Sequence, residues 1–235
     1  MMEPYRKPSN LRIAKYYIIN ALKFYELKNE KLTPFIFVIL LFTGLIGGFF
    51  AEAAAKVENT YLYTFLNFTI VLILNIASTI YLHSYITELK GGIASLRKSL
   101  KLVLRNLHKI LLAYLAFIAI IMAGVFLLIL PAFIFYHMFM FNLCYLVDKD
   151  IRVRDAFNAS RNITTGNKME IFAIFIMFNL MIFFPLFLVI LISSTTGSSL
   201  ILSFVITFFS SILTLMNQRL IALLYLDLEY GRIKN

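Results

Sequence analysis

Five residues near the carboxyl end, Ser203, Thr207, Ser210, Thr214 and Asn217, follow one another at steps of four, three, four and three. On an α-helix those steps place them on one face, as a line of hydroxyl and amide groups in an otherwise apolar stretch. A second line, Asn67, Asn75, Thr79 and His83, is spaced by eight, four and four residues. Neutral polar groups of this kind either hydrogen-bond neighbouring helices and permit close packing, or wall a wet or ligand-facing path. The spacing is compatible with both readings, and the two lines can meet inside a bundle.

Ionisable groups in apolar runs are the other place to look for chemistry, because burying them in a membrane is costly. Glu52 lies near the end of the first long apolar run and reads as a snorkelling side chain. No run holds two carboxylates able to pass a proton. His83, His137 and Cys144 lack the spacing of metal ligands, and Cys144, the one cysteine, reads as a small packing residue. HExxH, GxSxG, GxxxxGK[ST] and dinucleotide-binding glycine patterns are missing from the sequence. The chain therefore reads as a non-enzyme that calls for no cofactor and no metal.

The elements that must carry these residues follow from composition. Of 235 residues, 61% are hydrophobic and 14% charged, against about 45–50% and about 25% in soluble domains. Such a chain needs lipid around it. With 24 Phe, 13 Tyr and no Trp, any aromatic belt is built from Tyr and Phe. The net charge of +10 would suggest nucleic acid for a soluble protein; here basic residues beside anionic headgroups account for it, and nucleic acid is excluded as a partner. The expected partners are membrane lipids and other membrane or cytoplasmic proteins.

A helix rises 1.5 Å per residue, so crossing about 30 Å of hydrocarbon takes about 20 apolar residues. This ruler predicts six spans, at about 34–55, 61–86, 110–130, 131–147, 171–192 and 200–218. The first begins too late and runs too long for a cleaved leader. The uncharged stretch 110–147 is too long for one crossing, and Pro131 is the expected break. Pro185 is an expected kink in the fifth span, and the sixth helix is expected to continue past Arg219. Residues 1–33 form a cytoplasmic amphipathic segment, and 34–235 a single membrane domain.

Alternating the connections between two sides places 21 of the 22 Lys and Arg on one side: seven before Pro34, six from Lys90 to Lys109, five from Lys149 to Lys168, and Arg219, Arg232 and Lys234. Only Lys56 falls on the other. The positive-inside rule makes the basic side cytoplasmic, with both termini there, in the cytoplasmic membrane. The sequons at Asn158 and Asn162 then face the cytoplasm and are chance matches.

Each pair of spans is preceded by a basic amphipathic segment, with interfacial helices at about 88–109 and 150–168. In the clearer one, Leu89, Ile93, Leu96, Leu100, Val103 and Leu107 recur every three or four residues while Arg97, Lys98, Lys101, Arg105 and Lys109 take the other face. Arg97, Lys98, Lys101 and Arg105 are candidates for contact with anionic lipid. Ser99 to Asn106 matches Ser160 to Asn167 in spacing, and Asn29 holds the corresponding place before the first span. The fold class is thus all-α: a polytopic membrane protein of six transmembrane helices in three hairpins, each preceded by a basic amphipathic interfacial helix.

From Leu130 onward, LPAFIFYHMFMFNLCYLVDKD, DAFNASRNITTGNKMEIF and ALLYLDLEY resemble a largely uncharacterised prokaryotic six-helix membrane family that includes the membrane domain of certain glycerophosphodiester phosphodiesterases. Its pattern of an Ala and a Ser one turn apart, then a Gly and a polar residue before a span, matches Ala156, Ser160, Gly166 and Asn167. The resemblance covers about the last 100 residues well and the first 130 in layout only. It implies a six-helix membrane fold and, with no phosphodiesterase domain after Asn235, no hydrolase activity. The polar lines and repeated hairpins suggest an accessory subunit for transport or export, handling lipid or peptide. The alternative is a non-transporting scaffold or regulator that binds anionic lipid or a cytoplasmic partner through its basic helices.

Overall fold

The computed structural model describes residues 11–24, 32–57, 60–127, 129–194 and 199–231. Among them every regular element is helical: α1 (Ala14–Leu22), α2 (Leu32–Val57), α3 (Thr60–Leu89), α4 (Leu96–Arg105), α5 (Leu107–Leu127), α6 (Ile129–Phe139), α7 (Asn142–Lys149), α8 (Val153–Thr164), α9 (Lys168–Ser194) and α10 (Ser199–Tyr230). The long helices are apolar all round, as helices in lipid are, whereas α4 and α8 each have one apolar face. Four described segments are long and apolar enough to cross a membrane: Leu32–Phe50, Tyr61–Leu89, Leu107–Leu127 and Ser203–Tyr230. A fifth is reached if α8 and α9, bent by 92° from one another, count as one. The bend falls at Gly166, whose φ of +94° suits a residue without a Cβ.

Several boundaries differ from the sequence reading. The interfacial helix expected over 88–109 is only α4, because α3 runs to Leu89, the chain turns through Gly91 and Gly92, and α5 takes Leu107 and Lys109. The one expected over 150–168 is α8, shortened at its start by Asp150 in the left-handed region at φ 48°. The expected fourth span, 131–147, is two helices broken at Met140–Phe141. Pro131 sits in the first turn of α6, where a missing amide hydrogen costs nothing. The sixth helix continues beyond 218, reaching Tyr230 as α10. Asn29 lies outside the described residues, and so do the side chains of Glu52 and Pro185.

The buried core gathers toward the end of the bundle where α1, α4, α7 and α8 sit, around Tyr17, Tyr81, Ile86, Phe141, Leu146, Phe178 and Tyr225. Farther along, Phe42, Phe49, Phe65, Phe126 and Leu180 are exposed, the surface expected of helices that lipid covers. Close approaches there depend on glycine. A Cβ on Gly44 would stand 2.5 Å from the Thr207 methyl, and one on Gly124 2.7 Å from the Ala132 Cα. Small residues at such crossings let backbones come together where no hydrophobic force drives them.

Candidate functional site

The break between α6 and α7 leaves backbone groups without helical partners, and α8 supplies them. Ala156 and Ser160 are both fully buried against it. Ser160 Oγ donates to the Met138 carbonyl at 2.9 Å and accepts from the Phe141 amide at 3.2 Å. One hydroxyl thus satisfies both sides of the break, and α7 starts on a new line with Asn142 turned into the bundle.

Asn142 reaches a cavity of about 240 Å³ among α3, α5, α6, α7 and α10, whose polar lining is Asn75, Tyr114, Tyr136, Asn142, Asn217 and Gln218. The Tyr114 hydroxyl lies 3.2 Å from Thr79 Oγ1 and 3.4 Å from the Asn75 carbonyl, to which Thr79 donates at 2.7 Å. Asn217 interacts with the Tyr136 hydroxyl. Asn142 is only 3% exposed, and the carboxamides of Asn75, Asn142 and Gln218 open onto the cavity with no hydrogen bond to another described residue. A buried amide such as that of Asn142 is rarely left so.

On the far side of Tyr136 lies a groove of about 470 Å³ between α5, α6 and α9, apolar along Ile121, Val125, Phe133, Phe172, Phe175 and Ile176. Its polar residues are engaged locally: His137 Nδ1 donates to the Phe133 carbonyl at 2.7 Å, and Asn179 to that of Phe175 at 2.8 Å. The His137 ring stands edge-on to Phe172 and Phe175 at 5.2 and 5.6 Å. A polar chamber and an apolar trough therefore share one wall.

The two sequence lines divide between packing and cavity. Asn75 and Asn217 face the same cavity. Ser203 and Thr207 pack against Gly48 and Gly44. Ser210 and Thr214 return hydrogen bonds to their own helix, at the Thr207 and Ser210 carbonyls. Asn67 is half-buried on α3, away from the cavity. His83 Nδ1 lies 2.9 Å from Ser99 Oγ, which is also 2.9 Å from Ser84 Oγ. That triple contact fastens α4 to α3 and leaves Arg97, Lys98, Lys101 and Arg105 exposed beside Leu100 and Leu104. Arg105 and Lys109 also pair with Asp150, at 2.9 and 2.8 Å; the Lys109 ammonium holds that carboxyl below its ordinary range.

Sequence reasoning missed the buried charges of α10. Arg219 is 1% exposed; its guanidinium donates to the carbonyls of Asn20 and Lys23 and to Tyr81, and lies over the rings of Tyr85 at 4.5 Å and Phe24 at 5.0 Å. Asp227, 4% exposed, accepts from Tyr17 at 2.8 Å and pairs with Arg12 at 3.2 Å. So α1 lies antiparallel along α10, an anion at its amino end and a cation at its carboxyl end, as the helix dipole favours. The signal was available: Arg219 and Asp227 are the only charges between Glu170 and Glu229. A third cluster joins α3, α7 and α10, with Asp148 bound to Lys90 at 2.5 Å, Tyr230 at 2.7 Å and Tyr225 at 2.9 Å. Burial alone would raise the Asp148 carboxyl; the Lys90 ammonium and the tyrosine hydroxyls outweigh it and hold it below its ordinary range.

The chain matches no family model, no curated protein and no solved structure.

Proposed function

We propose that this is a six-span protein of the cytoplasmic membrane, with both termini on the cytoplasmic face, that serves transport or export as an accessory subunit by holding an amphipathic, lipid-like molecule. In this reading α6 and α7 form the fourth crossing despite their break, and α1, α4 and α8 lie at the cytoplasmic interface ahead of three hairpins. The charge distribution supports the orientation, since 21 of 22 Lys and Arg fall on one side of it. Labelling of single cysteines placed near Lys101 and at the two termini checks this; modification from outside the cell at any of them overturns the topology. Kinship with the membrane domains of glycerophosphodiester phosphodiesterases is part of the proposal, supported by the structural work of Ala156, Ser160 and Gly166 at the α8 joints.

The observation that carries the ligand reading is the apolar groove adjoining the polar cavity at Tyr136. Sites of this volume that bind small molecules are mostly apolar with a few polar groups to orient the occupant. A diacylglycerol carrying a diazirine on one acyl chain, incorporated with the protein into liposomes, tests it. Photolabelling is expected on the α6 and α9 faces of the groove, saturable by unlabelled diacylglycerol. Val125→Phe and Ile176→Trp, which fill the groove from positions that are half exposed, should lower it severalfold. Labelling that neither saturates nor responds to these changes overturns the reading.

A second reading, a scaffold or regulator on anionic lipid, is favoured by the exposed basic face of α4. Replacing Arg97, Lys98, Lys101 and Arg105 with Gln should then weaken the protein's enrichment in phosphatidylglycerol over phosphatidylcholine regions of a membrane; unchanged partition argues against it.

A further inference from the structure

The polar cavity has a chemistry narrower than "lipid-like", and resting on the groove reading above, we infer that it takes a neutral, hydroxyl-bearing headgroup of the glycerol or sugar type and rejects phosphate. Three carboxamides, those of Asn75, Asn142 and Gln218, face the cavity without a partner among the described residues, and Asn142 is only 3% exposed. A carboxamide presents two donors and an acceptor with two lone pairs. A hydroxyl is likewise donor and acceptor together, so a polyol can satisfy amides of either orientation. A single-function ligand cannot.

Among the described residues, the lining holds no Asp, Glu, Lys, Arg or His. A phosphate drawn into it would lose hydration with no cation to replace it, which is strongly unfavourable in an apolar surround. Arg219 follows Gln218 in sequence but is turned to the α1 carbonyls of Asn20 and Lys23 and to the rings of Phe24 and Tyr85. It is not available to a headgroup. The same absence of carboxylates leaves nothing to neutralise a cationic amine.

Competition for the diazirine diacylglycerol probe tests this. Competitors with identical acyl chains are diacylglycerol, glucosyl-diacylglycerol and phosphatidylglycerol, with free glycerol as a soluble control. The two neutral lipids should displace the probe at concentrations about tenfold lower than phosphatidylglycerol, a difference of about 1.4 kcal/mol. Asn142→Leu, which replaces an unpartnered buried amide with an apolar group of similar size, should abolish that preference while labelling of the groove persists; Asn217→Leu serves if the first variant does not fold. Saturable labelling with no preference among lipids overturns the headgroup inference and leaves the groove reading standing. Loss of preference in neither variant assigns the cavity to water alone and overturns it as well. Displacement by free glycerol at lipid concentrations makes it a soluble-polyol site and overturns the lipid assignment. Absence of saturable labelling removes the groove reading and this inference together.

Discussion

Replacing Arg219 with Leu removes the cation to which the carboxyl end of α1 is fastened. The guanidinium makes two hydrogen bonds to the Asn20 and Lys23 carbonyls and lies over two aromatic rings. Hydrogen bonds from a charged donor are worth about 1.5–3 kcal/mol net, and a cation over a ring about 0.5–1 kcal/mol or more when desolvated. Helix α1 has nine residues, too few to hold a helix alone in water. The expected result is local: α1 leaves α10 while the long helices stay. Taking about 3 kcal/mol for the lost contacts, the opening equilibrium shifts about a hundredfold, read as hydrogen exchange of residues 14–22 in nanodiscs. Arg219→Lys, which keeps the charge but loses the planar fork, should fall between wild type and Leu. If α1 remains as protected in Arg219→Leu as in wild type, the clamp does not hold it and the reasoning is wrong.

Ser160→Ala strips the α6–α7 break of its donor to Met138 and acceptor for Phe141, and should lower stability by about 1–3 kcal/mol in a detergent-based thermal melt. Gly124→Ala should cost about 1–3 kcal/mol, because its Cβ meets the Ala132 backbone and the helices must separate. Gly48→Ala should cost less, since it meets only a Ser203 hydroxyl that can rotate. The Lys90–Asp148 pair gives a pH dependence of definite sign. Asp148, lowered in the folded state, contributes stability that is present above about pH 4 and lost as pH falls through its folded value. Burial would lower Lys90, but its bond to Asp148 raises it on balance, so its contribution is present below about pH 10 and lost as pH rises through that raised value. Lys90→Gln should therefore flatten both edges of a melting-temperature profile, and an unchanged profile refutes the assignment.

Much of the architecture was legible because lipid imposes a length and a composition on each crossing. Apolar runs located α2, α3, α5, α9 and α10 within a few residues at most ends. The Met140–Phe141 break was not legible: neither residue is Pro or Gly, and what allows it is a serine about 20 positions later. Periodicity found the faces of α3 and α10 but could not sort residues along them. Asn75 and Asn217 differ from Thr207 and Ser203 only in what stands opposite, a cavity in one case and glycines of α2 in the other. Asn142, the most buried amide of the cavity, sits in no periodic pattern, because its helix has eight residues and begins with it.

The seating of α1 on α10 brings together two helices far apart in the chain, with Asn20 and Arg219 separated by 199 positions. Tyr17 and Ala21 are buried where α1 meets α10 and α9, and Arg219 meets the α1 carbonyls only when both helices are in place. A chain that lacks α10 therefore presents α1 as a loosened helix for proteases to find. Damage to α10 is thereby reported at α1, a helix far from it in sequence.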